Sequence, residues 1–166
     1  MDYLQTVPLT YAPYAGAVAG TTNTFTTTVA LRGSLAGKYT GNLAVLTNSA
    51  TTPTTDANTG TTFEPILPNT CAAVVFGINA AGTLVAVQGQ SQPTETGVTT
   101  TVGAFINAPQ FPAIPDNFVP FAYTIVRAAP SLTAGFVLGS TSWAASGASC
   151  TTFANISTLP ARPQIA

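Results

Sequence analysis

Reactive chemistry needs groups that move protons, hold metals or attack carbon, and this chain has very few. Its 166 residues include no histidine, four bases (Arg32, Lys38, Arg127 and Arg162) and five acids (Asp2, Asp56, Glu64, Glu95 and Asp116). Without imidazole there is no side chain that titrates near neutrality by default, and no Ser/His/Asp or Cys/His arrangement. A carboxylate pair for glycoside chemistry would need folding to bring Asp56 to Glu64, or Glu95 to Asp116. Nothing in their spacing calls for that, and ordinary surface-loop roles are expected. Two acids within roughly 5–10 Å in a cleft would restore a hydrolase reading.

Cys71 and Cys150 fit no CxxC pattern and cannot make a four-ligand zinc site. They bridge if the fold joins them, or remain small buried thiols. Gly37-Lys38-Tyr39 lacks the rest of a phosphate loop, and no EF-hand loop occurs. Met1-Asp2-Tyr3-Leu4-Gln5 has no basic region of the secretory type, so the acceptor pattern Asn155-Ile156-Ser157 is read as coincidence. The expectation is a protein that is not an enzyme and uses no cofactor or metal.

Composition points the same way. Charged residues are 5% of the chain, against about 25% in an average globular domain. Hydrophobic residues are 46%, mean hydropathy is +0.36 and the net charge is −1. That is the reverse of a disordered composition. It gives a lone molecule little charge to keep it dispersed. Either partners cover much of the surface, or Thr and Ser hydroxyls keep a monomer soluble. No basic cluster exists to meet phosphates, so neither nucleic acid nor an acidic membrane is an expected partner. The uncharged run from Pro65 to Thr94 is interrupted by Pro68, Asn69, Asn79, Gly82, Gln88 and Gln90. It reads as two strands rather than a membrane helix.

The elements follow from β-branched and aromatic runs between turn residues. Residues 1–22 read as an extended N-terminal arm, broken by Pro8, Pro13, Gly16 and Gly20 and carrying Tyr3, Leu4, Val7, Tyr11 and Tyr14. The arm lies on its own domain or on a neighbour. Residues 23–158 read as a β-sandwich domain and 159–166 as an extended tail. Strands are expected at Thr24–Leu31, Lys38–Leu46, Thr61–Leu67, Val98–Ile106, Phe121–Val126, Leu132–Thr141 and Thr151–Ile156, with a turn at 33–37 and a polar surface loop at 47–62.

The firmest signal is a hairpin, Cys71–Ile78 and Thr83–Val87 around Asn79-Ala80-Ala81-Gly82. Its near-continuous apolarity asks for cover on both faces, from another layer or another subunit. The prolines at 109, 112, 115 and 120 impose a polyproline-like path from which Phe111, Ile114 and Phe118 can enter apolar grooves. Phe63, Phe76, Phe105, Phe121, Phe136 and Trp143 read as core. Eight or nine short strands without a helical pattern mean an all-β sandwich or barrel.

The hairpin Ala72-Ala-Val-Val-Phe-Gly-Ile-Asn-Ala-Ala-Gly-Thr-Leu-Val-Ala-Val-Gln-Gly89, followed by Phe111-Pro-Ala-Ile-Pro-Asp-Asn-Phe-Val-Pro-Phe-Ala-Tyr123, resembles head-decoration (cement) and fibre-type proteins of tailed bacteriophages. The resemblance covers about a third of the chain. It implies a jelly-roll-like β-sandwich on the capsid exterior of a virion assembled in the host cytoplasm. It also implies a homo-oligomer, dimer or trimer, that bridges major capsid protein subunits. No catalytic residues carry over. The contact residues expected here are Tyr3, Leu4, Val7, Tyr11 and Tyr14 of the arm and Phe111, Ile114 and Phe118 of the proline segment. The alternative is a head- or tail-fibre domain that binds a host receptor or glycan.

Overall fold

A computed structural model describes residues 9–10, 18–19, 23–35, 38–39, 44–45, 50–151 and 153–163. In chain order its strands are β1 (Leu9–Thr10), β2 (Val18–Ala19), β3 (Thr24–Thr26), β4 (Gly33–Leu35), β5 (Lys38–Tyr39), β6 (Ala50–Thr51), β7 (Thr70–Asn79), β8 (Leu84–Gln88), β9 (Gln92–Pro93), β10 (Phe118–Ala128), β11 (Ala148–Cys150) and β12 (Ala154–Asn155). The described residues contain no helix, and the protein is all-β. Every strand pairing among the described residues is antiparallel.

The main sheet has the order β11-β10-β7-β8, with β12 also on β10 and β9 also on β7. Two small sheets, β1-β4-β5 and β2-β3-β6, accompany it. The expected hairpin is β7–β8. Its turn closes because Asn79 Oδ1 accepts from the N–H groups of Ala81 and Thr83, both at 3.0 Å. Gly82 supplies the left-handed residue at φ 77°.

β7 and β10 form the spine of the sheet. They pair from Phe118 opposite Asn79 to Ala128 opposite Thr70, with one register shift between Pro120 and Ala122. That bulge is what admits Pro120 into an interior strand, since proline offers no N–H to a regular ladder. It also turns both Phe121 and Ala122 into the same core. On the other side of β10, the pairing passes from Cys150 opposite Val126 to Ala154 opposite Tyr123, so the partner spends one residue more than β10. Thr151 repairs the gap, its Oγ1 accepting from Ile125 N at 2.9 Å.

Strand alternation divides the sheet into two faces. One carries Ala72, Val74, Phe76, Ile78, Ala122 and Val126. Phe25, Phe63, Ile66, Phe136, Leu138, Trp143 and Phe153 cover it from distant parts of the chain. Phe25 stacks on Phe76 at 4.7 Å, and Phe153 meets both. Trp143 places its indole N–H on Thr24 O at 2.9 Å. The opposite face carries Val75, Val87, Phe118 and Tyr123 and is covered by Phe111, Ile114, Ile156 and Leu159. The two-faced cover expected of the hairpin therefore comes from the chain itself.

Several expected elements take another form. Thr24–Leu31 shortens to β3. The turn at 33–37 contains β4, which pairs with β5. Lys38–Leu46 is a strand only at Lys38–Tyr39 among its described residues. Thr61–Leu67 is reduced to single bridges at Thr62 and Ile66. Val98–Ile106 is a folded loop instead of a strand, bridged Val98 to Thr101 and Thr94 to Phe105. Its glycines allow the fold: a Cβ on Gly103 would collide with the Glu95 backbone. Leu132–Thr141 is a run of turns, because Gly135 and Gly139, both at φ 75°, end any extended path. Its Phe136 and Leu138 still reach the core. Residues 47–62 are not wholly a surface loop, since Thr52 and Asp56 are buried.

Most of the expected arm, including Tyr3, Leu4, Val7, Tyr11 and Tyr14, lies outside the described residues. Its two described pieces are strands, β1 paired with β4 and β2 paired with β3.

Candidate functional site

The scarce ionisable groups show where chemistry could occur, and two of them are structural ties. Asp56 is 6% exposed. Its Oδ1 accepts from Asn58 N at 2.7 Å and Thr59 N at 3.3 Å, and its Oδ2 from Gln88 N at 2.8 Å. The carboxylate thus closes its own loop and binds that loop to the free edge of β8, beside the bridge from Asp56 to Ala86. An Asp with a glycine four residues on is a turn-forming pattern, and the sequence Asp56-Ala-Asn-Thr-Gly60 announces the loop. It does not announce the partner strand.

Arg127 points from β10 across the second face. It donates to Gly103 O at 3.1 Å and lies 4.7 Å from the Phe105 ring centre. A guanidinium held between a carbonyl and an aromatic face is a stable arrangement. It pins the 95–106 loop to the sheet. Phe105, expected in the core, is instead this half-buried platform.

Glu95 and Asp116 are exposed, on the 95–106 loop and at the end of the proline segment. Asp56 and Glu64, by contrast, do line one cleft. Its walls are Asp56, Thr59, Thr61, Thr62, Glu64, Gln88, Gly89, Gln90 and Ser91, around a volume of about 280 Å³. Thr59 and Thr61 hold each other by their hydroxyls at 2.9 Å. Gln88 Nε2 donates to Glu64 O at 2.9 Å, and Gln88 Oε1 is buried with no donor. The cleft contains no base and no aromatic ring. With three N–H groups on Asp56, only Glu64 offers a carboxylate free of internal bonds. Thr62, Gln90 and Ser91 carry nothing in the sequence to mark them; only the pairing of residues 55–62 beside β8 brings them together.

The proline segment shows where the other expected contact residues go. Phe118 is 1% exposed, its ring lying over Gly77. Phe111 meets Tyr123 edge to face at 4.9 Å, and Ile114 packs on the same face. Exposure along the segment falls at Gln110, Ala113 and Asp116. That three-residue period is the repeat of a polyproline II path, and it turns Phe111 and Ile114 together onto the sheet. Asn58 Nδ2 ties the segment to the cleft loop through Ala113 O at 3.0 Å.

The two thiols are free and on opposite faces. Cys71 stands opposite Arg127 and Cys150 opposite Val126, adjacent positions on β10. They cannot bridge in this sheet. Burial pushes the Cys150 thiol up to about 12. Burial also raises Cys71, against the opposing charge of Arg127. Among the described residues no group of three His, Cys, Asp or Glu side chains could hold a metal, and no helix is long and apolar enough to cross a membrane.

The chain matches no protein-family model, no curated protein and no solved structure.

Proposed function

We propose that this chain is a non-enzymatic structural protein of a virion, a decoration or cement protein that binds the outside of a bacteriophage head and bridges major capsid subunits. In this reading the fold is a jelly-roll-like sandwich, and the working form is a dimer or trimer. Residues 1–22 are then an arm, with Tyr3, Leu4, Val7, Tyr11 and Tyr14 as its contact groups. The observation that carries the reading is the use made of polar chemistry. Asp56 and Arg127, the best-placed charged groups, tie loops to the sheet instead of facing a substrate. A charge-poor, hydroxyl-rich exterior suits lasting contact with other protein.

Imaging of purified particles tests the proposal. Density for this chain over the joints between capsid subunits is the expected result. Its absence from the shell, or its presence only at a tail or fibre tip, overturns it. Removing residues 1–8, which leaves β1 in place, should lower occupancy on the shell; unchanged occupancy removes Tyr3, Leu4 and Val7 from the account.

A further inference from the structure

The cleft between the 56–62 loop and residues 88–91 has a rigid base and an uncommitted rim. Asp56, the Thr59–Thr61 hydroxyl pair and the Gln88 amide fix the base. Thr62, Glu64, Gln90 and Ser91 reach the rim with side chains that make no hydrogen bond to any described residue. A fixed base under free polar groups lowers the ordering cost of binding.

We propose that this cleft binds a neutral hydroxylated ligand, a single sugar residue. This proposal does not depend on the capsid reading. The lining selects the ligand by elimination and by fit. Two carboxylates without a base repel anions. No large apolar side chain or ring lines the walls to seat a bulky apolar ligand. No nitrogen or sulfur donor is present for a soft metal. Asp56 already accepts three N–H groups, which leaves one free carboxylate, too little charge for a calcium cage.

A sugar uses what remains. Glu64 accepts from ring hydroxyls, and Gln90, Thr62 and Ser91 both donate and accept. Threonine methyls offer contact to C–H groups. A volume of about 280 Å³ suits a small ligand.

The test is residue-resolved NMR of the full chain titrated with glucose, galactose, mannose, fucose and N-acetylglucosamine. Sugars should be taken to about 100 mM, because a contact this small gives a Kd of about 1–10 mM. At least one sugar should shift the amides of residues 59–64 and 88–91 saturably. Glu64→Ala and Gln90→Ala should each weaken that sugar by about tenfold. Both positions are exposed, and an otherwise unchanged spectrum verifies their fold. Three results overturn the inference: no saturable shift with any sugar, shifts centred elsewhere, or shifts indifferent to both substitutions. A saturable response at these amides to calcium chloride, with none to the sugars, also overturns it and assigns a cation site.

Discussion

The two faces of the main sheet are both buried but are covered in different ways. The Phe76 face is closed by aromatic rings that arrive from separate parts of the chain: Phe25, Phe136, Trp143 and Phe153. The Val75 face is closed largely by one strap, the proline segment, and by residues after β12. The first cover is held by ring-to-ring contacts in depth. The second is a single layer whose outer side is already solvent at Gln110, Ala113 and Asp116. The lesson is that a chain with little charge can close a sheet by mutual burial on one side and by a stiff, period-three strap on the other. Lower local stability is expected of the thinner cover, because few buried contacts and exposed backbone favour local opening.

Truncation on the deep face should be the most damaging change. Phe76→Ala removes contacts to Phe25, Phe153 and Trp143. It should cost about 3–5 kcal/mol in urea unfolding. Where the strap enters the sheet, Gly77→Ala drives a Cβ into the Phe118 ring and to 2.6 Å from Val119 O. The backbone oxygen cannot swing away, so the loss should be about 1–3 kcal/mol. A neutral Gly77→Ala variant would mean that Phe118 does not seat there. On the thin face, Phe111→Ala gives up one edge-to-face pair and a half-buried ring. About 1–2 kcal/mol is expected, with faster hydrogen exchange confined to the strap and its neighbours. If Phe111→Ala costs as much as Phe76→Ala, the contrast between the faces fails.

A pH slope is expected as well. Unfolding frees Cys150 to ionise near its ordinary value of 9.0, while the folded thiol keeps its proton to about 12. Above pH 9 the unfolded chain has therefore lost a proton that the folded chain retains, and stability declines as pH rises through that window. Urea midpoints measured from pH 8 to 11 should fall, and Cys150→Ala should flatten the slope. At pH 8 neither thiol of the folded protein should react with iodoacetamide; rapid labelling of Cys150 would show that its burial is transient.

Much of this architecture can be read directly from residue order. The β7–β8 hairpin is local, written in Ala72–Ile78, Thr83–Val87 and the turn between them, and it forms where expected. The lack of helix among the described residues follows from Thr, Gly and Pro content. The strands placed at 98–106 and 132–141 are different: their composition favours extension, yet Gly103, Gly135 and Gly139 are needed for close approaches and left-handed turns. A β-rich composition cannot distinguish those uses of glycine. The cleft was less legible still. Asp56 and Glu64 could be named as a pair, but not the fact that Asp56 is consumed by Asn58, Thr59 and Gln88.

Residue types alone settle what this chain lacks and what it prefers: no imidazole, few charges, short β-branched runs and one self-closing hairpin. Those are local properties, fixed by side-chain chemistry and backbone preference. Parity and partnership needed the folded chain. A one-residue change in register exchanges the two faces of a strand. The separation of Cys71 from Cys150, the inward turn of Phe111 and Ile114, and the burial of Asp56 against β8 therefore all depend on long-range pairing, which no local run of residues specifies.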